Sequence, residues 1–245
     1  MKFLYYPFYA IYRIWFYLLV LSSVILLFPF LIISIISEKN YKFFFALARI
    51  WAKIILFGMG YSTQTTINEN INPSKSYMFI ANHTSMLDIM LMLKVVKNPF
   101  VFVGKKELSK IPLFGFFYKR TCILVDRNDP KSRKDVYNQA EKRLKNGLSI
   151  CIFPEGLVPD DESIVLAPFK DGAFSLSIEH QLPIVPICFL DNKQKFSYTF
   201  FSGSFGTLRT IILPFIPTKN LIISDRKILK EKAFQIIHKE LLQNL

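Results

Sequence analysis

Histidine and cysteine are both scarce, three of each among 245 residues, and their scarcity narrows the chemistry available. Cys122, Cys151 and Cys188 are isolated, odd in number and set inside apolar runs (TCILV, SICIF, VPICF). They offer neither a disulfide framework nor a metal-ligand spacing, so they read as buried, reduced thiols of a cytosolic compartment. The Gly-x-Ser-x-Gly elbow is absent, which argues against a serine hydrolase of that kind. Zinc-finger spacing, a basic-region heptad and an RNA-binding aromatic motif are missing too, as are internal repeats and low-complexity segments. Acidic residues are few: 18 against 31 lysines and arginines, a net charge of +13. That excess suits an anionic partner, whether nucleic acid, membrane surface or phosphate.

Apolar residues, by contrast, make up 51% of the chain and include twenty-five phenylalanines. They concentrate in the first sixty positions, which turns the basic excess toward membrane and phosphate rather than nucleic acid. Residues 14–36 (IWFYLLVLSSVILLFPFLIISII) carry no charge. As a helix this stretch is about 34 Å long, enough to cross a hydrocarbon core of roughly 30 Å. Arg13 precedes it, and Glu38, Lys39 and Lys42 follow. A signal peptide fits poorly, because the run is too long and lacks a small-residue cleavage site. Pro29 admits a kinked or re-entrant helix. A second segment, 43–57, places Arg49 and Lys53 on one helical face with Trp51 at headgroup level, the pattern of an interfacial helix. The expected division is a membrane-anchoring pair of helices over 1–60 and an α/β domain over 61–245.

Beyond Gly58 and Gly60 the pattern changes. Short β-type runs at 76–81, 100–103, 121–125, 148–153 and 184–189 alternate with helical segments. Residues 131–146 follow Asp129 and Pro130 and stop before Gly147; 171–181 are closed by Pro183. A strand-like 207–213 and an amphipathic helix near 225–242 come last. This alternation predicts an α/β fold: a mostly parallel sheet flanked by helices, with an N-terminal helical membrane anchor.

Asn82-His83-Thr84-Ser85-Met86-Leu87-Asp88 follows the first of those strands directly. In one reading it is a capping box, with Ser85 capping the next helix and Asp88 bonding back to the backbone. In the other, His83 and Asp88 touch. On one continuous helix they would point about 140° apart. With His83 in the turn before a helix starting near Ser85, the carboxylate reaches the ring. It then fixes the tautomer, and the second nitrogen is left to take a proton from an alcohol.

NHTSMLD resembles the first signature of the glycerolipid acyltransferases, and three further blocks follow in order. Lys105-Lys106-Glu107-Leu108, running through Ile111-Pro112-Leu113-Phe114-Gly115 to Ile123-Leu124-Val125-Asp126-Arg127, resembles the second. Phe153-Pro154-Glu155-Gly156 resembles the third, with Pro168-Phe169-Lys170-Asp171-Gly172 after it, and Leu182-Pro183-Ile184-Val185-Pro186 the fourth. The likeness covers about residues 75 to 190 and is strongest toward bacterial 1-acylglycerol-3-phosphate acyltransferases. It implies that His83 is the general base and Asp88 its orienting partner. It also implies an acceptor site drawn from Asn82, Ser85, Lys105, Arg127, Glu155, Gly156 and Lys170, with the cations on the phosphate. The implied partners are a lysophospholipid, acyl-CoA or acyl-carrier protein as co-substrate, and the bilayer. No metal or redox cofactor is implied. The implied location is the bacterial inner membrane, with the catalytic domain on the cytoplasmic side.

One departure bears on the acceptor. The third block usually continues Glu-Gly-Thr-Arg-Ser, but here Leu157-Val158-Pro159 follows Gly156, and then Asp160, Asp161 and Glu162. Either Lys170 takes over the missing cation's role or the acceptor differs, for example a lyso-ornithine lipid. A membrane-bound thioesterase and a non-catalytic lipid-binding adaptor are the competing classes. His180 and His238 read as structural. Phe114, Phe116 and Phe117 read as core or lipid contacts.

Overall fold

The structure, a computed structural model, describes residues 5–126, 129–159, 161 and 163–244. It is the expected α/β arrangement, a mixed sheet flanked by helices. Seven strands lie in the order β1-β7-β6-β2-β5-β3-β4: β1 Tyr61–Ile67, β2 Met78–Ala81, β3 Phe100–Lys105, β4 Ile123–Val125, β5 Ser149–Ile152, β6 Ile184–Phe189 and β7 Gly206–Ile212. Five of them, β4-β3-β5-β2-β6, run parallel, while β7 pairs antiparallel to β6 and carries β1 parallel to itself. Strands β2 and β6 are buried along their whole length, as expected for strands covered by helices on both faces.

β1 escapes a reading based on hydrophobic alternation. Its sequence, YSTQTTI, is polar and mostly exposed. It holds the sheet edge through its register with β7, from Tyr61 opposite Gly206 to Ile67 opposite Ile212. Thr121, expected in a strand, instead ends helix α4 (Phe114–Thr121), which turns its Phe117 into the protein while Phe114 and Phe116 stay exposed.

The two N-terminal helices are α1 (Tyr6–Ile35) and α2 (Tyr41–Gly58). α1 runs through Pro29 without a break and is long and apolar enough to cross a membrane. Its helical span begins seven residues before Arg13, so that arginine is inside the helix rather than flanking it, and it is 1% exposed. α2 packs inward as well: Ala52, Ile55, Leu56 and Met59 share one core with β2, β5 and β6. Arg49 donates through Nε to the carbonyl of Leu93 at 3.0 Å, meeting the unpaired C-terminal carbonyls of α3 (Leu87–Val95). The positively charged face read as interfacial is thus partly spent on the protein itself.

Candidate active site

The topology predicts where a site belongs. β2 and β6 are neighbours, yet the chain leaving β2 travels through α3 to β3 on one side, and the chain leaving β6 travels to β7 on the other. Loops that diverge from adjacent parallel strands open a crevice at their carboxyl ends. His83 stands two residues beyond β2, and Phe153-Pro154-Glu155-Gly156 follows β5 directly. Three of the four sequence blocks therefore end at one edge of the sheet, with Lys105 closing β3 beside Val125 of β4.

His83 and Asp88 meet. The ring Nδ1 lies 2.8 Å from Asp88 Oδ2. That oxygen also accepts the backbone N–H groups of Thr84 at 2.7 Å and Ser85 at 2.9 Å. Both readings of the motif hold at once: the carboxylate caps the turn into α3 and orients the imidazole. Asp88 is fully buried, whereas the His83 side chain retains 19% exposure. With Nδ1–H given to the carboxylate, Nε2 carries the lone pair. The ring lies 4.4 Å from that of Phe153, nearly parallel, and Phe153 in turn stacks at 6.1 Å on Phe102 from β3. This aromatic shelf limits the ring to one plane.

Glu155 sits behind the pair. It is 2% exposed; Oε1 accepts the backbone N–H of His83 at 2.6 Å and Oε2 that of Ala167 at 2.7 Å. Burial raises its pKa to about 7, against the lowering pull of those two N–H groups. Gly156 follows with φ of +77°, a conformation open to glycine. Expected to shape the acceptor pocket, Glu155 pins the turn that carries His83.

The other expected site residues divide. Asn82 is 2% exposed, and its amide bonds both the N–H and the carbonyl of Phe189, tying β2 to β6 beneath the crevice. Ser85 is 0% exposed; its hydroxyl donates to the carbonyl of Phe196 and accepts from Leu87 N–H. Both side chains are committed to the scaffold, so neither presents a group to an acceptor. Lys105 and Lys170 are exposed, the latter held by its backbone N–H on the Pro154 carbonyl at 2.8 Å. Arg127 lies outside the described residues, as do Asp160 and Glu162.

Sequence reasoning missed Asn192, whose Nδ2 donates to Asp88 Oδ1 at 2.7 Å. Nothing local marks it, for the partners are 104 positions apart. It missed Phe153 as a ring against His83 for the same reason, although the block containing it was singled out.

An open α/β sheet with a histidine–aspartate pair at its switch point, stacked on an aromatic shelf, is an arrangement suited to general-base chemistry. The chain belongs to the acyltransferase family, whose model matches residues 62–190. A chloroplastic 1-acyl-sn-glycerol-3-phosphate acyltransferase of Brassica napus is 32% identical over 148 residues, 60% of this chain and 42% of that protein. The 1-acyl-sn-glycerol-3-phosphate acyltransferase of Salmonella typhimurium is 36% identical over 120 residues, 48% of each chain. The chain spans about half the length of the curated relatives it matches. The crystal structure of the 1-acyl-sn-glycerophosphate acyltransferase of Thermotoga maritima superposes with a TM-score of 0.78 at 19% identity, covering 99% of this chain and 97% of that one, a likeness of fold.

Proposed function

We propose that the protein transfers a fatty acyl group from an acyl thioester, acyl-CoA or acyl-carrier protein, to the sn-2 hydroxyl of 1-acylglycerol-3-phosphate, forming phosphatidic acid. The observation that carries this is the His83–Asp88 contact at 2.8 Å with Nε2 turned away from the carboxylate. Nε2 takes the proton of the acceptor hydroxyl as its oxygen attacks the thioester carbonyl. Asp88 holds the imidazolium that results. Collapse of the tetrahedral intermediate breaks the C–S bond, and the imidazolium returns its proton to the departing thiolate. The base is regenerated without a covalent enzyme intermediate, and no metal or redox cofactor is needed.

Lys105, Lys170 and Arg127 supply positive charge for the acceptor's phosphate. The substrate reaches them from a bilayer. α1 is an apolar helix of thirty residues, and beside its start lies a patch of exposed aromatics: Tyr198, Phe200, Phe201 and Phe205, with Phe201 on the ring of Tyr6 at 4.9 Å. An apolar patch of that kind suits burial in lipid. It supports a protein held at a membrane; the location that goes with the proposed reaction is the bacterial inner membrane, with the catalytic edge toward cytoplasmic thioesters.

A second acceptor is favoured by one observation, the apolar Leu157-Val158-Pro159 after Gly156 where the family carries an arginine. The deciding assay gives purified wild type and His83→Ala labelled acyl-CoA, or acyl-carrier protein in parallel, with lysophosphatidate. Phosphatidate made by the wild type alone supports the proposal. Product only from a phosphate-free lyso-lipid moves the acceptor, and free fatty acid without ester moves the reaction to thioester hydrolysis.

A further inference from the structure

Asp88 carries four donors, and three of them come from its own turn. The fourth, Asn192, arrives from α7 (Asn192–Phe196), a helix of five residues that follows β6. So short a helix does not hold itself in place. It is clamped at both ends instead. Before its first residue, Asp191 accepts the Arg209 backbone N–H at 2.7 Å and its guanidinium Nη2 at 2.7 Å, fixing that end to β7. At its last residue, Phe196 lies under the guanidinium of Arg13, 4.0 Å from ring centroid to Cζ. Nη2 of Arg13 also reaches the carbonyls of Ser197 at 2.9 Å and Thr199 at 2.6 Å. The Phe196 carbonyl accepts the hydroxyl of Ser85, three residues from Asp88.

A buried arginine on an otherwise apolar helix is expensive unless its donors are met. Arg13 is 1% exposed, and its Nη2 and the face of its guanidinium meet this segment while Nε is left without a hydrogen-bond partner. Nothing about spanning a bilayer requires it. Its contacts instead connect α1 to Phe196, Phe196 to Ser85, and the other end of α7 to the catalytic carboxylate.

We propose that α7 is a strut that sets the orientation of the Asp88 carboxylate, with Asn192 and Arg13 as positioning residues, so that the seating of α1 and the geometry of the His83–Asp88 pair are coupled. This rests on His83 and Asp88 being the catalytic pair of the proposed reaction. Asn192 fixes Oδ1 so that Oδ2 faces the imidazole. It also draws off part of the carboxylate's charge, and without it the imidazolium is held more tightly. Glu155 and Tyr198 also sense the charge of Asp88, and neither takes the place of Asn192 on Oδ1.

The test uses the full chain in detergent micelles and compares wild type with Asn192→Ala, Arg13→Met, both together, and Arg13→Lys. Asn192→Ala should lower kcat about 10–100-fold with KM for the acyl thioester changed less than about threefold. It should also move the acid limb of the kcat–pH profile, and the 15N-imidazole titration of His83, upward by roughly half a unit or more. Arg13→Met should lower kcat about tenfold, Arg13→Lys should recover most of it, and the double variant should be no worse than Asn192→Ala alone within about threefold. If Asn192→Ala is not obtained folded, Asn192→Leu fills the same volume without a donor and must show the same upward shift.

A uniform loss of kcat with an unmoved His83 titration would reduce Asn192 to a packing residue and overturn the proposal. Multiplying losses in the double variant would overturn the role given to Arg13. The NMR titration does not depend on turnover: an inactive wild type with the shift intact would sink the acyl-transfer reading and leave the strut standing.

Discussion

Glu155 accepts the backbone N–H of His83, 2.6 Å away and 72 positions earlier in the chain. Its second oxygen holds Ala167, so one buried carboxylate joins the turn after β2, the turn after β5 and the segment leading to Lys170. The block Phe153–Gly156 therefore contributes to the site by fixing the backbone from which His83 projects.

Glu155 makes folding stability depend on pH. Burial lifts its pKa from the ordinary 4.5 to about 7 in the folded protein. Between those values the folded state binds a proton that the unfolded state has released. The contribution is fully present below about pH 4.5 and is lost as pH rises through about 7. A shift of that size is worth on the order of 3 kcal/mol. Glu155→Gln removes the titration, so denaturant midpoints at pH 5 and pH 8 should differ more for the wild type than for the variant. Equal differences would show that Glu155 is ionised throughout. The same variant turns an amide N–H toward a backbone N–H, so its kcat should fall as the His83 turn loosens.

Asp88→Asn preserves shape and reverses one role. An amide accepts through one oxygen only, while four donors converge on the carboxylate. With its oxygen at the Oδ2 position the imidazole keeps only a neutral acceptor, and Asn192 must turn its own amide to meet the new N–H. Turned the other way, an N–H faces the imidazole and the two backbone donors, and in both cases the imidazolium loses the negative charge beside it. A fall in kcat on the order of 10³, with KM near the wild-type value, is expected at every pH. A variant within tenfold of wild type would show that His83 works without a charged partner.

Much of this frame was legible in the sequence because it rests on local signals. The apolar runs of β2, β5 and β6 sit between helix-ending glycines and prolines, and the span from His83 to Asp88 is short enough for one turn to close it. What was not legible depends on pairing across long separations. β1 is polar and becomes a strand only against β7. Asn192 follows β6 with no motif around it, and its role exists only because β6 lies beside β2. Arg13 looks like the charge that flanks a membrane helix, and its inward partners, Phe196 and the segment after α7, lie far along the chain. Ser85 and Asn82 fall in the right motif, yet their side chains face the scaffold.

Lys105 and Lys170 are exposed, the first at the end of β3 and the second after the Glu155 turn. If they hold a phosphate, each alanine variant should raise KM for lysophosphatidate about tenfold and leave kcat within about threefold. KM for a phosphate-free lyso-lipid should not move. Added salt should weaken the wild type toward the variants, because exposed charges are screened. Equal effects on both acceptors would take these lysines out of phosphate recognition.

The block Ile111-Pro112-Leu113-Phe114-Gly115 contains two positions with opposite expected responses to substitution. Gly115 packs so close to the preceding segment that a Cβ there would lie 2.1 Å from the backbone oxygen of Ser109. Backbone cannot step aside as a flexible side chain would. Gly115→Ala must therefore push the 3-10 turn Lys106–Lys110, which directly follows Lys105, and should destabilise by roughly 2 kcal/mol. Leu113 has φ of +61° and ψ of −57°, and the N–H of Phe114 closes onto the carbonyl of Pro112 at 2.7 Å. That is a three-residue turn of the rare, strained kind. Its side chain is 41% exposed, so Leu113→Gly relieves strain and gives up little burial. After the entropy cost of glycine it should stabilise by about 1 kcal/mol. Denaturant midpoints moving in opposite directions would establish both constraints. A destabilised Leu113→Gly would mean that the leucine's packing outweighs its backbone strain.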